Sequence, residues 1–360
     1  MEKTILKNEP NQNWEEFFKL DLEEKMDFYA KDGKIYDCLF AQQLSKKVLE
    51  SLFDIADKLR KTTKTKEGAD FIASLLSHKR AMLFFVQPST RTFLSFLNAC
   101  HIMGMKTSEI RDTSTSSEVK GESHDDTVRT FSSYVDLIIM RHPAPGSAER
   151  TSWLLNRTNR PIPVLNAGSG KDQHPTQALL DIYTLHRQFN GNIDGKRIVM
   201  VGDLKRGRTV RSLSYLMKNY KNITIDFVSP KEFKMESDIL NFLEKHNIPY
   251  TETEDFTSVM PTADAIYMTR IQDEHDASGE SKKVDYSPFY FKEEHLKMIK
   301  PSCILLHPLP RRFEIDAKVD KDERAVYWRQ ERNGMWIRAA LIAYTFGVED
   351  QINQFTRSIT

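Results

Sequence analysis

The chain has 360 residues, 39% hydrophobic and 29% charged, the balance of a folded protein with room for sizeable cores. No apolar run approaches the roughly 18 residues that a bilayer-spanning helix needs, so the sequence argues against a membrane partner. Lysine and arginine total 52 against 51 acids, and a formal net charge of +1 supplies no global field to draw nucleic acid, so an anion site must be built locally. Cys38, Cys100 and Cys303 are too few and too scattered for a disulfide framework or a CxxC metal site. They read as buried thiols of a protein in a reducing compartment. Acids outnumber bases in residues 1–37, which lack a basic start followed by an apolar core, so the cytoplasm is the expected location.

Length alone suggests about two domains. Residues 1–37 form an N-terminal extension with Trp14, Phe17, Phe18, Phe28 and Tyr29 set among charges, expected to be helical and to dock on the surface. The pattern then predicts a helix over 44–61, a strand over 81–86, helices over 93–103 and 125–134, a strand over 135–140 and a helix over 177–188. After Asn190, Gly191 and Asn192 it restarts, with strands over 197–201, 224–228, 265–268 and 303–306 and helices over 209–219 and 236–246. A helix over 333–346 closes it and can return to the first domain. This alternation predicts an α/β protein of two doubly wound parallel-sheet domains with the active site in the cleft between them. The boundaries fall at 38–176 plus 336–360 for one domain and 177–335 for the other.

Polar clusters follow the strands, where such folds bind ligands. After the strand 81–86 come Pro88, Ser89, Thr90, Arg91 and Thr92, a concentration of hydroxyl, amide and guanidinium donors at the start of a helix. Free N–H groups and the positive dipole end make that position an anion cradle, and an ordinary helix cap beside a surface arginine is the alternative. After 135–140 come Arg141, His142 and Pro143, and Gln173, His174, Pro175, Thr176 and Gln177 open the next helix. In the second half, residues 202–209 hold glycines for tight turns and Arg206 and Arg208 for gripping an anion, without the G-x-G-x-x-G spacing of a dinucleotide site. Arg270 and Gln272 follow the strand 265–268, and His307, Pro308, Leu309, Pro310 and Arg311 follow 303–306. The two prolines donate no hydrogen bond and leave carbonyls to meet an amine or amide.

This ordered set resembles the aspartate and ornithine carbamoyltransferases over about residues 39–346. The resemblance rests on Ser89-Thr90-Arg91-Thr92, Lys120-Gly121-Glu122, Met140-Arg141-His142-Pro143, His174-Pro175-Thr176-Gln177, Gly207-Arg208-Thr209 and His307-Pro308-Leu309-Pro310-Arg311. Pro308 stands where the ornithine branch usually has cysteine, and Arg270 with Gln272 look like the dicarboxylate-binding residues of the aspartate branch. The resemblance implies transfer of a carbamoyl group from carbamoyl phosphate to the amine of L-aspartate, an early step of pyrimidine synthesis, with no cofactor, no metal and no covalent enzyme intermediate. It implies that Ser89, Thr90, Arg91, Thr92, Arg141 and His174 hold carbamoyl phosphate, with Arg141, His174 and Thr92 stabilising the tetrahedral oxyanion. Gln177 and the carbonyls of Pro308 and Leu309 would orient the carbamoyl nitrogen and the incoming amine, while Arg208, Arg270 and Gln272 would bind aspartate. Ser116 and Lys120 would lie on a loop lent by the neighbouring subunit of a homotrimer with shared active sites, Lys120 reaching both substrates. A separate regulatory chain is compatible with the family and is not encoded in this sequence.

The chain departs from the family pattern at Gln87, where a glutamate is usual, at His275, where an arginine is usual, and at Phe93, where a polar residue is usual. These departures bear on closure and on the acceptor more than on phosphate binding. Transfer to an ornithine derivative or another amine is the nearest alternative, and a non-catalytic ligand-binding relative is the alternative from another class. Overall neutrality disfavours nucleic-acid binding.

Overall fold

The computed structural model describes residues 13–112, 121–170, 173–271 and 284–358. The chain divides into two compact units, Met1–Thr176 with Met335–Thr360, and Gln177–Gly334. The first unit opens with α1 (Trp14–Phe18), α2 (Leu22–Met26) and a hairpin of β1 (Ala30–Lys31) and β2 (Lys34–Ile35). It continues through α3 (Lys46–Thr62), α4 (Lys66–Leu75), β3 (Arg80–Phe85), α5 (Thr90–Ile102), β4 (Lys106–Ile110), α6 (His124–Tyr134), β5 (Leu137–Arg141), α7 (Ser147–Leu155) and β6 (Val164–Asn166). Helix α8 (Pro175–Gln188) leads into the second unit, with β7 (Arg197–Val201), α9 (Arg208–Leu216), β8 (Thr224–Val228), α10 (Ser237–Lys245), β9 (Tyr250–Thr253), α11 (Phe256–Val259), β10 (Ala265–Met268) and β11 (Ile304–Leu306). Helices α12 (Tyr327–Thr345) and α13 (Glu349–Ser358) end the chain.

Each unit is an α/β domain around a parallel sheet, ordered β4-β3-β5-β6 in the first and β11-β10-β7-β8-β9 in the second. Central strands β5, β7 and β10 are buried nearly throughout, as strands covered on both faces must be. Edge strands β4 and β9 read Lys-Thr-Ser-Glu-Ile and Tyr-Thr-Glu-Thr and remain largely exposed, which is why no apolar run announces them. The strand order reverses between β3 and β5 in the first unit and between β7 and β10 in the second, since successive connections leave on opposite sides there. Those reversals open crevices at the carboxyl ends of the strands.

Helix α12 starts at Tyr327, ahead of the stretch 333–346 that its apolar periodicity indicates. Two polar residues of its first turns face inward: Asn333 Nδ2 donates to Thr184 Oγ1 at 3.1 Å, and Gln330 is fully buried.

The N-terminal segment corrects a surface-docked reading. Phe17, Phe28 and Tyr29 are core residues, clustered with Phe84, Met140 and Val164 of the first sheet. An Asp32-Gly33 turn with positive φ at both positions folds β1 onto β2. The segment is fastened by a buried ion pair, Lys25 Nζ at 2.8 Å from Glu149 Oε1, with both side chains 8% exposed. Lys25 also donates to the Phe18 carbonyl, and Tyr29 Oη donates to Glu149 Oε1. Asp37, also buried, accepts from the Val164 backbone N–H and from Asn156 Nδ2, both at 2.7 Å, and so ties the end of the segment to β6.

Removing one member of a buried pair leaves an uncompensated charge, which typically costs about 3–5 kcal/mol, whereas replacing both by apolar groups is close to neutral. Lys25→Met is therefore expected to destabilise the protein by about that amount, and Lys25→Met with Glu149→Leu to recover most of it. Urea unfolding of the two variants checks this; equal losses in both would contradict it.

Candidate active site

In the first unit the cradle occupies the first turn of α5. Ser89 precedes that helix with extended backbone, and its side chain makes no capping hydrogen bond. Thr90, Arg91 and Thr92 are themselves the first helical residues, so their backbone N–H groups lie where an α-helix has no internal acceptors to offer. Arg91 is exposed and Thr92 buried. Arg141, the last residue of β5, lies in register with Phe85, the last residue of β3, across the strand-order reversal. The Gln87 N–H donates to the Arg141 carbonyl at 3.2 Å and holds the two strand ends together.

Arg141 and His174 converge over a glycine. A Cβ on Gly168 would sit 2.7 Å from Arg141 Nη1, 2.7 Å from His174 Cδ2 and 3.0 Å from His174 Nε2, and φ at Gly168 is +95°. Only glycine permits this approach. Asn166 shapes the loop: its Oδ1 accepts from the N–H groups of Gly168 and Ser169, both at 2.9 Å, and its Nδ2 donates to the Leu39 carbonyl. The loop's Ala167 carbonyl accepts from Arg141 Nη1 at 3.2 Å, which aims the guanidinium. Sequence reasoning passed over both Asn166 and Gly168. Their signal was an apolar strand ending in asparagine two residues before a glycine, Val164-Leu165-Asn166-Ala167-Gly168.

Beside Arg141, His142 Nδ1 accepts from the Ala144 N–H at 3.1 Å and lies 2.9 Å from Ser147 Oγ. A backbone N–H can only donate, so this ring nitrogen is unprotonated. Burial, then the neighbouring His124, pushes His142 down to about 4, and burial lowers His124 as well.

The second unit arranges its cations around its own strand-order reversal. Gly202 follows β7 with φ +121°, and a Cβ there would meet the carbonyl oxygen and Oγ1 of Thr269, each at 2.5 Å, so the ends of β7 and β10 are in contact. Buried Asp203 accepts from the Arg206 N–H at 3.1 Å and folds the connection toward Gly207, the residue before α9. Arg208 is the first residue of that helix. Arg270 follows β10, its Nη1 donating to the Ile271 carbonyl at 3.1 Å. Beyond β11, buried His307 donates its N–H to Gln330 Oε1 at 3.0 Å, and its Nδ1 accepts from the Leu309 N–H at 2.8 Å. Leu309 has φ +48° and precedes a cis bond to Pro310. Gln177, in the first turn of α8, is buried with its Nε2 3.0 Å from Asp181 Oδ1.

Ser116, Lys120, Gln272 and His275 lie outside the described residues. Of the two described departures, Gln87 Oε1 is buried and makes no hydrogen bond among the described residues. Phe93 belongs to the core, 3% exposed, with its ring edge-on to Phe85 at 5.5 Å and the Arg111 guanidinium 4.3 Å above it. Cys38, Cys100 and Cys303 are free, buried thiols whose pKa values are pushed up to about 12, chiefly by burial.

Two family models match the chain: aspartate/ornithine carbamoyltransferase, carbamoyl-P binding domain, over residues 37–187, and aspartate/ornithine carbamoyltransferase, Asp/Orn binding domain, over 194–345. The chain is 39% identical over 312 residues to aspartate carbamoyltransferase 1, chloroplastic, of Pisum sativum, covering 85% of this chain and 77% of the relative. It is 39% identical over 305 residues to the aspartate carbamoyltransferase catalytic subunit of Clostridium novyi, covering 84% of this chain and 94% of the relative. Among solved structures, it is similar to aspartate transcarbamoylase from Trypanosoma cruzi in complex with carbamoyl aspartate and phosphate. The TM-score is 0.78 at 33% identity, covering 86% of this chain and 95% of that one.

Gly168→Ala is expected to force Arg141 and His174 apart and to weaken binding of inorganic phosphate by about tenfold or more, since charge-assisted hydrogen bonds lose strength steeply with misplacement. Isothermal titration checks this; unchanged affinity in a folded variant would refute the convergence as a binding feature. The histidine pair gives a pH signature. His142 is neutral in the folded protein down to about 4 but protonates near 6.5 when unfolded, so the unfolded state binds more protons between those values. Stability is therefore present above pH 6.5 and lost as pH falls toward 4. His142→Asn should flatten the fall in melting temperature between about pH 7 and about pH 5; an unaltered slope would show that other groups carry it.

Proposed function

Because the chain belongs to the aspartate/ornithine carbamoyltransferase family, we propose that it transfers the carbamoyl group of carbamoyl phosphate to the amine of L-aspartate, giving N-carbamoyl-L-aspartate and phosphate. The observation that carries this reading is the convergence of Arg141 and His174 over Gly168, in the unit that holds the α5 cradle. A relative solved with carbamoyl phosphate and aspartate supports the choice of substrates. The unit Met1–Thr176 with Met335–Thr360 is assigned to carbamoyl phosphate, and Gln177–Gly334 to aspartate.

Each role follows from the chemistry of the group. Ser89, Thr90, Arg91 and Thr92 receive the phosphate on hydroxyls, amides and a guanidinium at a helix start. Arg141 and His174, with Thr92, stabilise the oxygen of the tetrahedral intermediate, where one such donor is typically worth about 10²- to 10³-fold in rate. The amine nitrogen of aspartate bonds to the carbamoyl carbon, the carbon–oxygen bond to phosphate breaks, and the departing phosphate takes the amine proton. Gln177 and the Pro308 and Leu309 carbonyls orient the carbamoyl nitrogen and the amine. Arg208 takes the α-carboxylate, and Arg270 and Gln272 take the side-chain carboxylate. Lys120 reaches both substrates, and it and Ser116 come from the neighbouring subunit of a homotrimer. Cytoplasm is the proposed compartment, in keeping with three buried free thiols.

An assay of the purified protein with carbamoyl phosphate and a panel of amino acids tests the reading. Turnover with aspartate is expected, and turnover with ornithine or another amine alone would overturn the choice of acceptor. Arg141→Ala should lower kcat by about 10²-fold or more in a folded protein. Arg270→Ala should raise the KM for aspartate while leaving that for carbamoyl phosphate nearly unchanged.

A further inference from the structure

Asp181 is fully buried, and its carboxylate receives three hydrogen bonds from neutral donors. Tyr267 Oη donates to Oδ2 at 2.7 Å, and Gln330 Nε2 and Gln177 Nε2 both donate to Oδ1, at 2.7 and 3.0 Å. A buried carboxylate is costly, and the roles assigned so far to Gln177, Pro308 and Leu309 do not require one.

The orientation of these amides can be deduced from the backbone outward. The His307 N–H can only donate, so the group of Gln330 that faces it at 3.0 Å is the oxygen. The Nε2 of Gln330 therefore faces Asp181, and the atom it meets must accept. Gln177 meets the same oxygen with its own Nε2, so its Oε1 is directed away from Asp181. Tyr267 holds the opposite oxygen. Its hydroxyl is the donor there, because a carboxylate oxygen can only accept. Burial is the main influence on Asp181 and raises it to about 7; the bonds from Tyr267, Gln330 and Gln177 pull it down, and Glu331 adds a smaller push upward.

We infer that Asp181 is a positioning residue for the acyl donor: its carboxylate sets which way the amides of Gln177 and Gln330 face, and thereby makes Gln177 an acceptor for carbamoyl N–H groups. The inference rests on the reading that Gln177 meets the carbamoyl nitrogen. Through Gln330 the same carboxylate reaches the N–H of His307, the residue ahead of the Pro308 and Leu309 carbonyls. One buried carboxyl group thus fixes the polarity of a site that must distinguish an amide from groups of the same size. A donor such as acetyl phosphate, with methyl in place of the amino group and the same phosphate, would leave the Gln177 oxygen unanswered.

The test compares carbamoyl phosphate with acetyl phosphate as a competitor in the aspartate assay of the full chain, because their ratio cancels whatever the phosphate cradle contributes. In Asp181→Asn the side-chain oxygen stays on Tyr267 Oη, the donor to Oδ2, and the new NH2 faces the two glutamines and turns Gln177 over. The preference for carbamoyl over acetyl phosphate is expected to fall by about tenfold or more, with inhibition by inorganic phosphate changed by less than about threefold. Gln177→Ala should lose the same preference, and the double variant should lose no more than either, as residues acting through one another do. A folded D181N with a preference within about twofold of the unaltered protein, or losses that add in the double variant, overturns the inference. If D181N does not fold, an unchanged preference in Q177A overturns it as well. Failure of the functional reading itself looks different, since the unaltered protein would then transfer no carbamoyl group to aspartate.

Discussion

Where a parallel sheet reverses its strand order, the loops leaving two neighbouring strands must turn to opposite faces, and no connection covers the gap between their carboxyl ends. Each unit of this protein has one such point, and candidate site residues of each unit flank it. In the first it lies between β3, which delivers the cradle, and β5, which ends on Arg141. In the second it lies between β7, which leads to Arg208, and β10, which leads to Arg270. A near-neutral chain can therefore concentrate positive charge at two places without a cationic surface. The backbone supplies the crevice, and helix starts at α5 and α9 add their own partial charge.

Strand ends brought this close leave little room, which explains where glycine is obligatory. Gly202 meets Thr269 and Gly168 meets Arg141 and His174 at distances that admit no side chain. The first contact joins two strands; the second brings a guanidinium and an imidazole together. Asn166 makes the second possible by supplying, from one side chain, acceptors for two consecutive amides and a donor to the segment that begins α3's approach.

Central strands were legible in the sequence because burial on two faces demands uninterrupted apolar runs, as in Ile198-Val199-Met200-Val201, whereas helices α4, α7 and α13 were not read. Edge strands β4 and β9 were not, since one flank in water lets polar residues occupy them. The positions of the cradle, Arg141, His174, Arg208 and Arg270 could be read as donors following strands. What holds them could not, because Asn166, Gly168 and Asp181 act through contacts distant in sequence; the Asp181–Gln330 bond spans 149 residues. Likewise Phe17 and Tyr29, set among charges, are buried against the first sheet, and Tyr29 meets Glu149, with which Lys25 is paired.

The two described departures from the family pattern differ in physical character. Phe93 is fully accommodated: it packs on Phe85 at the end of β3, carries the Arg111 guanidinium on its outer face and is part of the core. Gln87 is not accommodated in the same way. Its backbone joins β3 to β5, yet its side-chain oxygen is buried with no donor among the described residues. A buried acceptor left without a donor costs about 1–3 kcal/mol, so this amide gains more than a surface amide would from a donor brought to it. A neutral acceptor binds a cationic or amide donor more weakly than a carboxylate does, and its strength does not depend on pH. At this junction the chain presents a dipole and no charge, beside a cradle of hydroxyl and guanidinium groups at the start of α5.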